Sequence, residues 1–520
     1  MAVSTTPTSR TRQPSRASLR RRSRVQRPAW VGRAVLAGIL AVQTLLTLRL
    51  QNTAFDDEAL YLYAGHLQLD AIAKGGPLRS EFTDYFSGSP LLYPPAAAAL
   101  DSAFGLSGAR ALSLALMLGA TILVYALSRL LFDEMAGVGA AALFSTTQST
   151  LFLGHLATYD AAALFMLALA AWLAVRSSRC SSANVGIGLI LAAAVAVALG
   201  VAVKYATLMY LPTVAGLAAL SAYERGRWGA ALRRAVLLCG VTAVLLAGGL
   251  ALGGPAYLRG LSSTTTAREH GDANPVDLLV SCLQWGGGIV ALAILGAAWF
   301  GWRRRDARPQ WWRLALGGLL CGTALLAPAY QMYLHMTVSL HKHVGFGLLF
   351  AASMAGVGLS TLVGQHFRFP QVAIACWVTL LTFGITQSQH LYQGWADSSP
   401  LVTAIRPQLA PDRQYLVEAD SVPQYYLRAE TTPEQWTSTY SIDYTDPKGN
   451  RLTGEPGYQA AVRDGHFDLV VLSFTVTQEL DRVLQAQLRT DGQYRMLGKL
   501  PFDNSYGSGS YEIWVKIPTT

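Results

Sequence analysis

Long apolar runs, separated by short polar segments, dominate the chain up to about residue 390. A helix needs about 20 predominantly apolar residues to cross a bilayer. Counted in this way, the hydropathy pattern predicts about eleven membrane spans. Their approximate limits are 29–50, 107–132, 135–154, 157–176, 185–203, 205–222, 231–253, 276–301, 312–333, 344–364 and 370–388.

The segment between the first two spans, residues 51–106, is too long to be a simple connector. Residues 57–73 have the pattern of an amphipathic helix, and Tyr93-Pro94-Pro95 opens a second, alanine-rich helix. A stretch rich in glycine, proline and serine lies between them. We therefore expect juxtamembrane helices that lie at the membrane surface and frame a cavity.

The pattern changes again at about residue 395, where short alternating runs replace the long apolar ones. These runs predict strands at 415–419, 467–472, 494–500 and 511–517, and an amphipathic helix at 477–488. A small α/β domain is the simplest interpretation. The chain then divides into a basic N-terminal tail (1–28), a transmembrane domain (29–390) and a C-terminal α/β domain (395–520).

The composition agrees with a polytopic α-helical membrane protein, since 52% of the residues are hydrophobic and only 14% are charged. Soluble domains average about 25% charged residues. The arginine-rich tail 1–28 has the composition of a nucleic-acid-binding arm. Because it directly precedes an apolar span, we interpret it as a cytoplasmic retention signal that also meets anionic lipids. No nucleic-acid partner is expected.

The distribution of charge predicts the orientation of the chain. With the N-terminus in the cytoplasm, arginines gather in the inner loops, as the positive-inside rule requires. The 51–106 segment, with more acidic than basic residues, then lies outside. An odd number of spans also places the C-terminal domain outside the plasma (inner) membrane. The arginines of the inner loops are Arg176, Arg179, Arg225, Arg227, Arg233, Arg234, Arg303, Arg304, Arg305, Arg308, Arg313 and Arg368.

Carboxylates at the outer face are the first candidates for chemistry. Asp56, Asp57 and Glu58 follow one another after the first span, and no acidic residue precedes them. Helix capping by Asp56 explains one carboxylate but not three, and crowded like charges raise one another's pKa. A carboxylate that titrates near neutral pH suits a general base. Asp160, in the turn before the fourth span, is either a second functional acid or an N-cap.

Cationic and imidazole side chains gather at the same predicted face. Each of them alone is explained by contact with lipid headgroups, but as a group beside carboxylates they suit a phosphate leaving group. No metal site and no cofactor are predicted; a divalent cation at the His-Lys-His run stays an open alternative, because a histidine spacing of two is a weak signal. The candidates are Lys204, Arg268, His341, Lys342 and His343, with Arg259 and His270 nearby.

A family resemblance rests on two short motifs. Asp57-Glu58, followed by Ala59 and Tyr61, stands directly after the first span, and Asp160 stands before an alanine- and leucine-rich span. This arrangement resembles the GT-C superfamily of membrane glycosyltransferases, in particular the protein O-mannosyltransferase and lipid A aminoarabinose transferase branch. The likeness covers the layout of residues 30–390. The run Asp-Asp-Glu departs from the lone Asp-Glu of that family.

The resemblance implies a GT-C-like fold and an enzyme that transfers a sugar from a polyprenyl-phosphate donor to a cell-envelope acceptor at the outer face, surrounded by membrane lipids. It implies that Asp57, with Asp56 as its competitor, takes the proton of the acceptor hydroxyl. Glu58, Asp160 and Tyr61 would then contact the substrates. Lys204, Arg268, His341, Lys342 and His343 are assigned to substrate binding from their position alone.

Three other interpretations stay open at this point. A lipid-linked-sugar flippase predicts ionisable residues near the bilayer midplane, whereas the predicted spans are almost free of acidic residues. A polysaccharide polymerase or ligase predicts arginine-centred outer loops. A scaffold that displays the C-terminal domain predicts no role for the acidic run. For the transferase, an inverting reaction is expected, and the sugar stays open among arabinofuranose, mannose and other hexoses.

Overall fold

A computed structural model describes residues 29–78, 81–84, 86–223, 228–268, 270–303, 308–364 and 368–518. The basic tail predicted at 1–28 lies outside these residues. The helices of the first part of the chain are α1 (Ala29–Thr47), α2 (Asp56–Lys74), α3 (Tyr93–Phe104), α4 (Leu106–Leu131), α5 (Glu134–Ser145), α6 (Gln148–Leu153), α7 (Asp160–Ser177), α8 (Ala183–Val203), α9 (Leu211–Tyr223), α10 (Trp228–Leu261), α11 (Pro275–Trp302), α12 (Gln310–Gly322), α13 (Leu326–Leu334), α14 (Leu340–Val363) and α15 (Pro370–Tyr392).

Ten helical segments among the described residues are long and apolar enough to cross a membrane. They correspond to ten of the eleven predicted spans. The remaining prediction, 135–154, is instead two short helices, α5 and α6. Together they follow α14 back to its first turn: a Cβ at Gly139 would lie 3.2 Å from Gly356 Cα, and Ser149 Oγ donates to His341 O at 2.7 Å. The chain therefore still crosses the bundle here, and the number of crossings stays odd. The break has a local cause: Thr146 Oγ1 donates to Leu143 O at 3.0 Å, and Thr147 Oγ1 accepts from the backbone N–H of Thr150 at 3.1 Å, so both hydroxyls compete with helical hydrogen bonding.

The central helix of the bundle is α14. In the apolar 18-residue stretch of this helix, 83% of the residues are buried, which is the highest share among the ten segments. Small residues allow this: a Cβ at Gly356 would lie 2.2 Å from Ala136 O of α5, and a Cβ at Gly358 would lie 2.1 Å from Leu292 O of α11. Such close backbone approach is typical of packing between membrane helices. As a result, the first turn of α14, which carries His341, Lys342 and His343, lies in the interior.

The C-terminal part of the chain is a small α/β unit, as the sequence predicts. Its sheet has the order β2-β1-β5-β7-β6, in which β2, β1 and β5 are parallel and β7 is antiparallel to both β5 and β6. The elements are α16 (Ser399–Ile405), β1 (Tyr415–Val417), α17 (Ser421–Tyr426), β2 (Trp436–Thr437), β3 (Asp443–Thr445), β4 (Arg451–Thr453), α18 (Gly454–Arg463), β5 (Leu469–Leu472), α19 (Gln478–Thr490), β6 (Tyr494–Asn504) and β7 (Gly507–Lys516). Short 3-10 or π segments lie at Glu81–Asp84, Tyr205–Tyr210, Ser262–Thr266, Thr323–Leu325, Arg406–Gln408 and Pro433–Gln435.

This unit packs on the 51–106 segment through α17. Tyr425 Oη donates to Asp101 Oδ1 of α3 at 2.6 Å, and the other oxygen of Asp101 is 2.6 Å from His66 Nε2 of α2. The backbone N–H of Ala54 donates to Tyr426 Oη at 2.8 Å. We call this end of the helix bundle the domain end. The start of α2 therefore lies between the bundle and the C-terminal unit.

Candidate active site

The acidic run Asp56-Asp57-Glu58 forms the first turn of α2. Phe55 occupies the N-cap position of this helix, and its backbone N–H donates to the side chain of Glu58 (Oε2) at 2.9 Å. The capping role that the sequence offers to Asp56 therefore falls to Glu58. All three carboxylates lie where the partial positive charge of the helix N-terminus stabilises negative charge.

Glu58 holds three parts of the chain together. Arg110 Nε and Nη2 of α4 donate to its two oxygens at 2.8 and 2.7 Å, and the backbone N–H of Ala157 donates to Oε1 at 2.7 Å. Arg110 also donates to Asn52 O at 2.9 Å. The Glu58 side chain is fully buried, and both of its oxygens are occupied. This geometry fits a residue that positions the loop rather than one that contacts a substrate.

Asp57 forms an ion pair with Lys342, the central residue of the His-Lys-His run. Lys342 Nζ donates to Asp57 Oδ2, and the Lys342 side chain is 4% exposed whereas that of Asp57 is 31% exposed. The ammonium group also lies 5.4 Å from the ring centroid of Phe55. The pair therefore places a partly accessible carboxylate beside a buried cation, 285 positions apart in sequence.

A second ion pair joins Asp160 to Lys204. Lys204 Nζ donates to Asp160 Oδ1 at 2.6 Å, and neither side chain is more than 5% exposed. The other Asp160 oxygen accepts from Thr158 Oγ1 at 3.1 Å. The charge of Lys342 also acts on Asp160. The two ion pairs therefore belong to one cluster of charges at the domain end.

A backbone contact with the 51–106 segment positions Lys204. The N–H of Ser89 donates to Ala202 O at 2.7 Å, and the N–H of Tyr205 donates to Ser87 O at 2.8 Å. Gly88 lies between these hydrogen bonds, and a Cβ there would lie 1.9 Å from Val203 O. Only glycine allows this approach, so the glycine-rich stretch noted in the sequence has a structural use beside the lysine.

Tyr61 connects the two ion pairs. It lies one turn after Asp57 on α2, its ring centroid is 4.4 Å from that of Tyr159, and the Tyr159 ring lies 5.1 Å from Lys204 Nζ. Tyr61 also makes an edge contact with Phe86 at 4.9 Å between centroids. The aromatic residues thus form one wall beside the charged groups.

The histidines on either side of the α14 lysine face different surroundings. The His341 ring lies 5.5 Å from the Phe152 ring and 6.3 Å from the Trp285 ring, measured between centroids. His343 Nδ1 lies 2.9 Å from Gln331 Nε2. The two imidazoles therefore have separate partners.

Arg268 lies shortly after the π segment that follows α10. Its positive charge acts on His343, the neighbour of Lys342 on α14. Within the described ranges, no three His, Cys, Asp or Glu side chains are arranged so that they could hold a metal ion.

A groove of about 470 Å³ opens between α11 and α15, close to the charged cluster. Apolar side chains such as Leu283 and Phe383 line its sides, and Gln148 lies at the helix break between α5 and α6. Trp285 lines the groove and also contacts His341. The groove therefore borders His341 in the first turn of α14 through Trp285, and its lining combines apolar side chains with the polar residues Gln148, Gln284 and Gln387.

Asp56 faces the C-terminal unit rather than α14. The Ser421 side chain of α17 lies near its carboxylate, while Oδ1 is buried and has no hydrogen-bond partner within the described part of the chain. Burial and the charge of Asp57 raise the pKa of Asp56 to about 6. Among the described residues, Asp56 is therefore the member of the run whose carboxylate has a buried oxygen without a partner, whereas Asp57 is paired with Lys342.

Sequence reasoning missed two residues of this site, Asp420 and Tyr440. Asp420 directly precedes α17, and burial together with the charge of Asp56 raises its pKa to about 7. Tyr440 is 59% exposed, and its hydroxyl lies within electrostatic reach of Asp56 and Asp57. The sequence could have pointed to Asp420, because this residue directly follows the strand predicted at 415–419. Ligands often bind at the carboxyl ends of parallel strands.

Comparison with known proteins gives one matching family model and several solved structures of similar fold. Residues 98–248 match the family model of dolichyl-phosphate-mannose-protein mannosyltransferases. The chain is similar to ArnT from Cupriavidus metallidurans bound to undecaprenyl phosphate, with 14% identity, a TM-score of 0.60, and coverage of 93% of this chain and 98% of that one. A search of curated protein sequences gives no match.

The chain is also similar to the archaeal oligosaccharyltransferase AglB from Archaeoglobus fulgidus in complex with an inhibitory peptide and a dolichol-phosphate. The identity is 12%, the TM-score is 0.57, and the match covers 93% of this chain and 74% of that one. Identities this low define the fold alone. The matched family segment contains Asp160 and Lys204 but not the acidic run of α2 or Lys342.

Proposed function

We propose that this chain, a multi-pass membrane protein with the GT-C glycosyltransferase fold, transfers a sugar from a polyprenyl-phosphate donor to a cell-envelope acceptor. The acceptor is a glycan, a lipid or a protein. The reaction takes place at the domain end of the bundle, which we place at the outer face of the plasma membrane, with the N-terminus in the cytoplasm.

One observation carries the proposal: two acid–lysine pairs, Asp57–Lys342 and Asp160–Lys204, converge from separate helices beneath the C-terminal unit. Transfer to a hydroxyl group needs a base for the proton and cations for the departing phosphate. A cluster that holds both, with one partly exposed carboxylate, meets these needs. Its position at the end of the bundle also disfavours transport, which requires such groups near the midplane.

In the proposed reaction, Asp57 or Asp56 accepts the proton of the acceptor hydroxyl as its oxygen attacks the anomeric carbon. The new C–O bond forms while the bond from that carbon to the phosphate oxygen breaks. A single displacement of this kind inverts the anomeric configuration. The leaving phosphate keeps the electron pair and is stabilised by Lys342, Lys204 and Arg268.

The lysines are suited to this role because each is held in place by a carboxylate before a phosphate arrives. Preorganised charges stabilise a developing anion without the cost of rearrangement. The groove between α11 and α15 would hold the polyprenyl chain, since it is lined by apolar side chains and leads toward His341 beside Lys342. His341 and His343 would then border the phosphate.

The test is a transfer assay with the full-length protein in lipid nanodiscs. It uses radiolabelled polyprenyl-phosphate sugars and a crude cell-envelope acceptor, with wild type compared with Asp57→Asn. Loss of a general base lowers transfer by about 100-fold or more. Asp70→Asn is the matched control, because Asp70 lies on the same helix and is 67% exposed.

Transfer of one sugar, lost in Asp57→Asn and kept in Asp70→Asn, is the expected result. If Asp57→Asn keeps full activity and Asp56→Asn does not, the base is Asp56. Full activity in the folded Asp56→Asn/Asp57→Asn double variant contradicts the assignment of the base to this run. No transfer from any donor by folded wild-type protein contradicts the proposed function and directs the work to a transport assay.

A further inference from the structure

A buried amide lines the groove between α11 and α15. Gln148, the first residue of α6, is one of the residues that line the groove, yet it is only 1% exposed. Its Oε1 lies 3.0 Å from Ser149 Oγ, whereas its Nε2 has no hydrogen-bond partner among the described residues. Because a buried N–H without an acceptor costs free energy, such a group points to a ligand that accepts from it.

The break between α5 and α6 places this amide beside α14 and α15. A Cβ at Gly384 of α15 would lie 1.8 Å from Thr146 O and 3.7 Å from Gln148 N, so the chain at the break directly contacts α15. On the other side, Ser149 Oγ donates to His341 O at 2.7 Å. Gln148 therefore lies between α15 and the first turn of α14, which carries the His-Lys-His run.

Gln148 differs from the two other glutamines of the groove, Gln284 and Gln387. Gln387 Nε2 donates to Gln284 O at 2.9 Å, which connects α15 to α11 across the groove. The Gln284 residue itself is exposed. Among the described glutamines of this groove, Gln148 is thus the buried one with an unengaged N–H.

The lining of the groove narrows the class of ligand. Apolar side chains such as Leu283 and Phe383 suit a hydrocarbon chain, but a hydrocarbon offers no oxygen to the amide. The described residues that line the groove include no acidic side chain. The residue after His341 is Lys342, a buried cation, and an N–H donor near an ammonium group favours an anionic oxygen. A hydrocarbon chain that ends in an anion meets both requirements.

We propose that Gln148 is a substrate-binding residue whose Nε2 donates a hydrogen bond to a phosphate oxygen of an isoprenoid phosphate lipid. The hydrocarbon chain lies in the groove, and the phosphate lies at the first turn of α14, within reach of the Gln148 amide and the Lys342 ammonium. The inference rests on the proposed function in taking this lipid as the carrier of the sugar. Binding of the lipid does not itself require transfer.

The experiment measures the equilibrium binding of radiolabelled undecaprenyl phosphate to the purified full-length protein in detergent micelles. Undecaprenol, which has the same chain without the phosphate, is the comparison ligand. Wild type is compared with Gln148→Leu, which removes the amide at similar volume. Gln284→Leu is the matched control, because it removes an exposed amide from the same groove and keeps the backbone oxygen that binds Gln387.

We expect Gln148→Leu to raise the Kd for undecaprenyl phosphate by about 10- to 100-fold, as for the loss of a hydrogen bond to a charged group. The Kd for undecaprenol should stay unchanged, and Gln284→Leu should bind both lipids like wild type. Unlabelled phosphatidylglycerol serves as a competitor, because it also offers a phosphate oxygen. It should displace undecaprenyl phosphate poorly if the site is specific for the isoprenoid lipid.

An unchanged Kd in Gln148→Leu contradicts the proposal, and so does an equal rise for both lipids, which would show that the substitution alters the groove itself. Displacement by phosphatidylglycerol as efficient as by undecaprenyl phosphate contradicts the assignment to an isoprenoid lipid. If Gln148→Leu fails to fold, Gln148→Met, unbranched like glutamine, gives the same test. The expected binding pattern without any sugar transfer by wild type contradicts the proposed function and leaves this lipid site in place.

Discussion

Buried ion pairs at the domain end are stable only while both partners are present. Asp160 and Lys204 are each almost completely removed from solvent, so neither charge is solvated by water. Attraction within such a pair offsets the cost of burying both charges, but removing one partner leaves the other charge uncompensated. The exposed pair Asp70–Lys74 on α2 pays no such cost, with side chains 67% and 74% exposed.

We expect Lys204→Met to destabilise the protein by about 3–5 kcal/mol, because it leaves the Asp160 carboxylate buried without its cation. The double variant Asp160→Asn/Lys204→Met should recover most of this loss, since it removes both charges. Unfolding in nanodiscs, followed by tryptophan fluorescence, measures the difference. Neither variant should transfer sugar at the wild-type rate.

Lys74→Met is the control for this prediction. An exposed i,i+4 pair contributes about 0.3–0.5 kcal/mol, so its loss should be close to the limit of detection. Equal destabilisation by Lys204→Met and Lys74→Met would show that the buried pair has no special dependence on its partner.

At the level of elements, the site depends on how the 51–106 segment packs on the bundle. Its two helices bring the acidic run to α14, and the short segment around Gly88 holds the residues that end α8. Lys204 follows directly after α8, so its position is coupled to this backbone contact. A change of one methyl group there should reach the site without touching any charged residue.

We expect Gly88→Ala to lower transfer by about 10- to 100-fold, because the added Cβ would lie 1.9 Å from Val203 O and must push the two segments apart. Overpacking of this kind also costs about 1–3 kcal/mol of stability. Initial rates at saturating donor and the unfolding temperature measure the two effects.

Gly76→Ala, in the same segment, is the matched control. A Cβ there would be 3.8 Å from Ala71 O, an ordinary contact. We expect wild-type rates for this variant. If Gly88→Ala has the same rate as Gly76→Ala, Lys204 is not positioned by the contact.

At the level of the whole molecule, the C-terminal unit is a wall of the site and not a separate module. Asp101 is the centre of its attachment, since it accepts from Tyr425 and approaches both His66 and Arg428. Asp101 is buried, so each of these contacts replaces water around its charge. Hydrogen bonds to charged groups contribute about 1.5–3 kcal/mol.

We expect Tyr425→Phe to weaken this attachment and to raise the KM for the acceptor more than the KM for the donor. The reason is that Asp420 and Tyr440 approach the site from the C-terminal unit, whereas the lysines come from the bundle. Steady-state kinetics measure both constants, and limited proteolysis measures the exposure of the connection near Trp395.

Tyr506→Phe is the control, because Tyr506 is 71% exposed and its ring contact with His390 is kept by phenylalanine. An equal rise of both KM values in Tyr425→Phe would indicate a general loss of structure. No change in either would show that α17 does not contribute to acceptor binding.

The local pattern of apolar and polar residues determined much of the secondary structure of this protein. The apolar runs define ten long membrane helices because the bilayer requires long apolar helices. Alternation with length predicts β1, β5, β6 and β7 of the C-terminal unit but not the short strands β2, β3 and β4. The positions of the acidic run and of Asp160, at the starts of helices, also follow from local sequence. So does the presence of cations near the same end, because charged groups are excluded from the bilayer interior.

Only the tertiary structure decided which of these groups meet. Glu58 binds Arg110, 52 positions away, and Asp57 binds Lys342, 285 positions away. The break between α5 and α6 depends on competing hydrogen bonds, and the packing of α17 beside the start of α2 depends on contacts between distant parts of the chain. The physical reason is that hydropathy and propensity act over a few neighbouring residues, whereas the partner of a buried charge is chosen by the packing of helices distant in sequence.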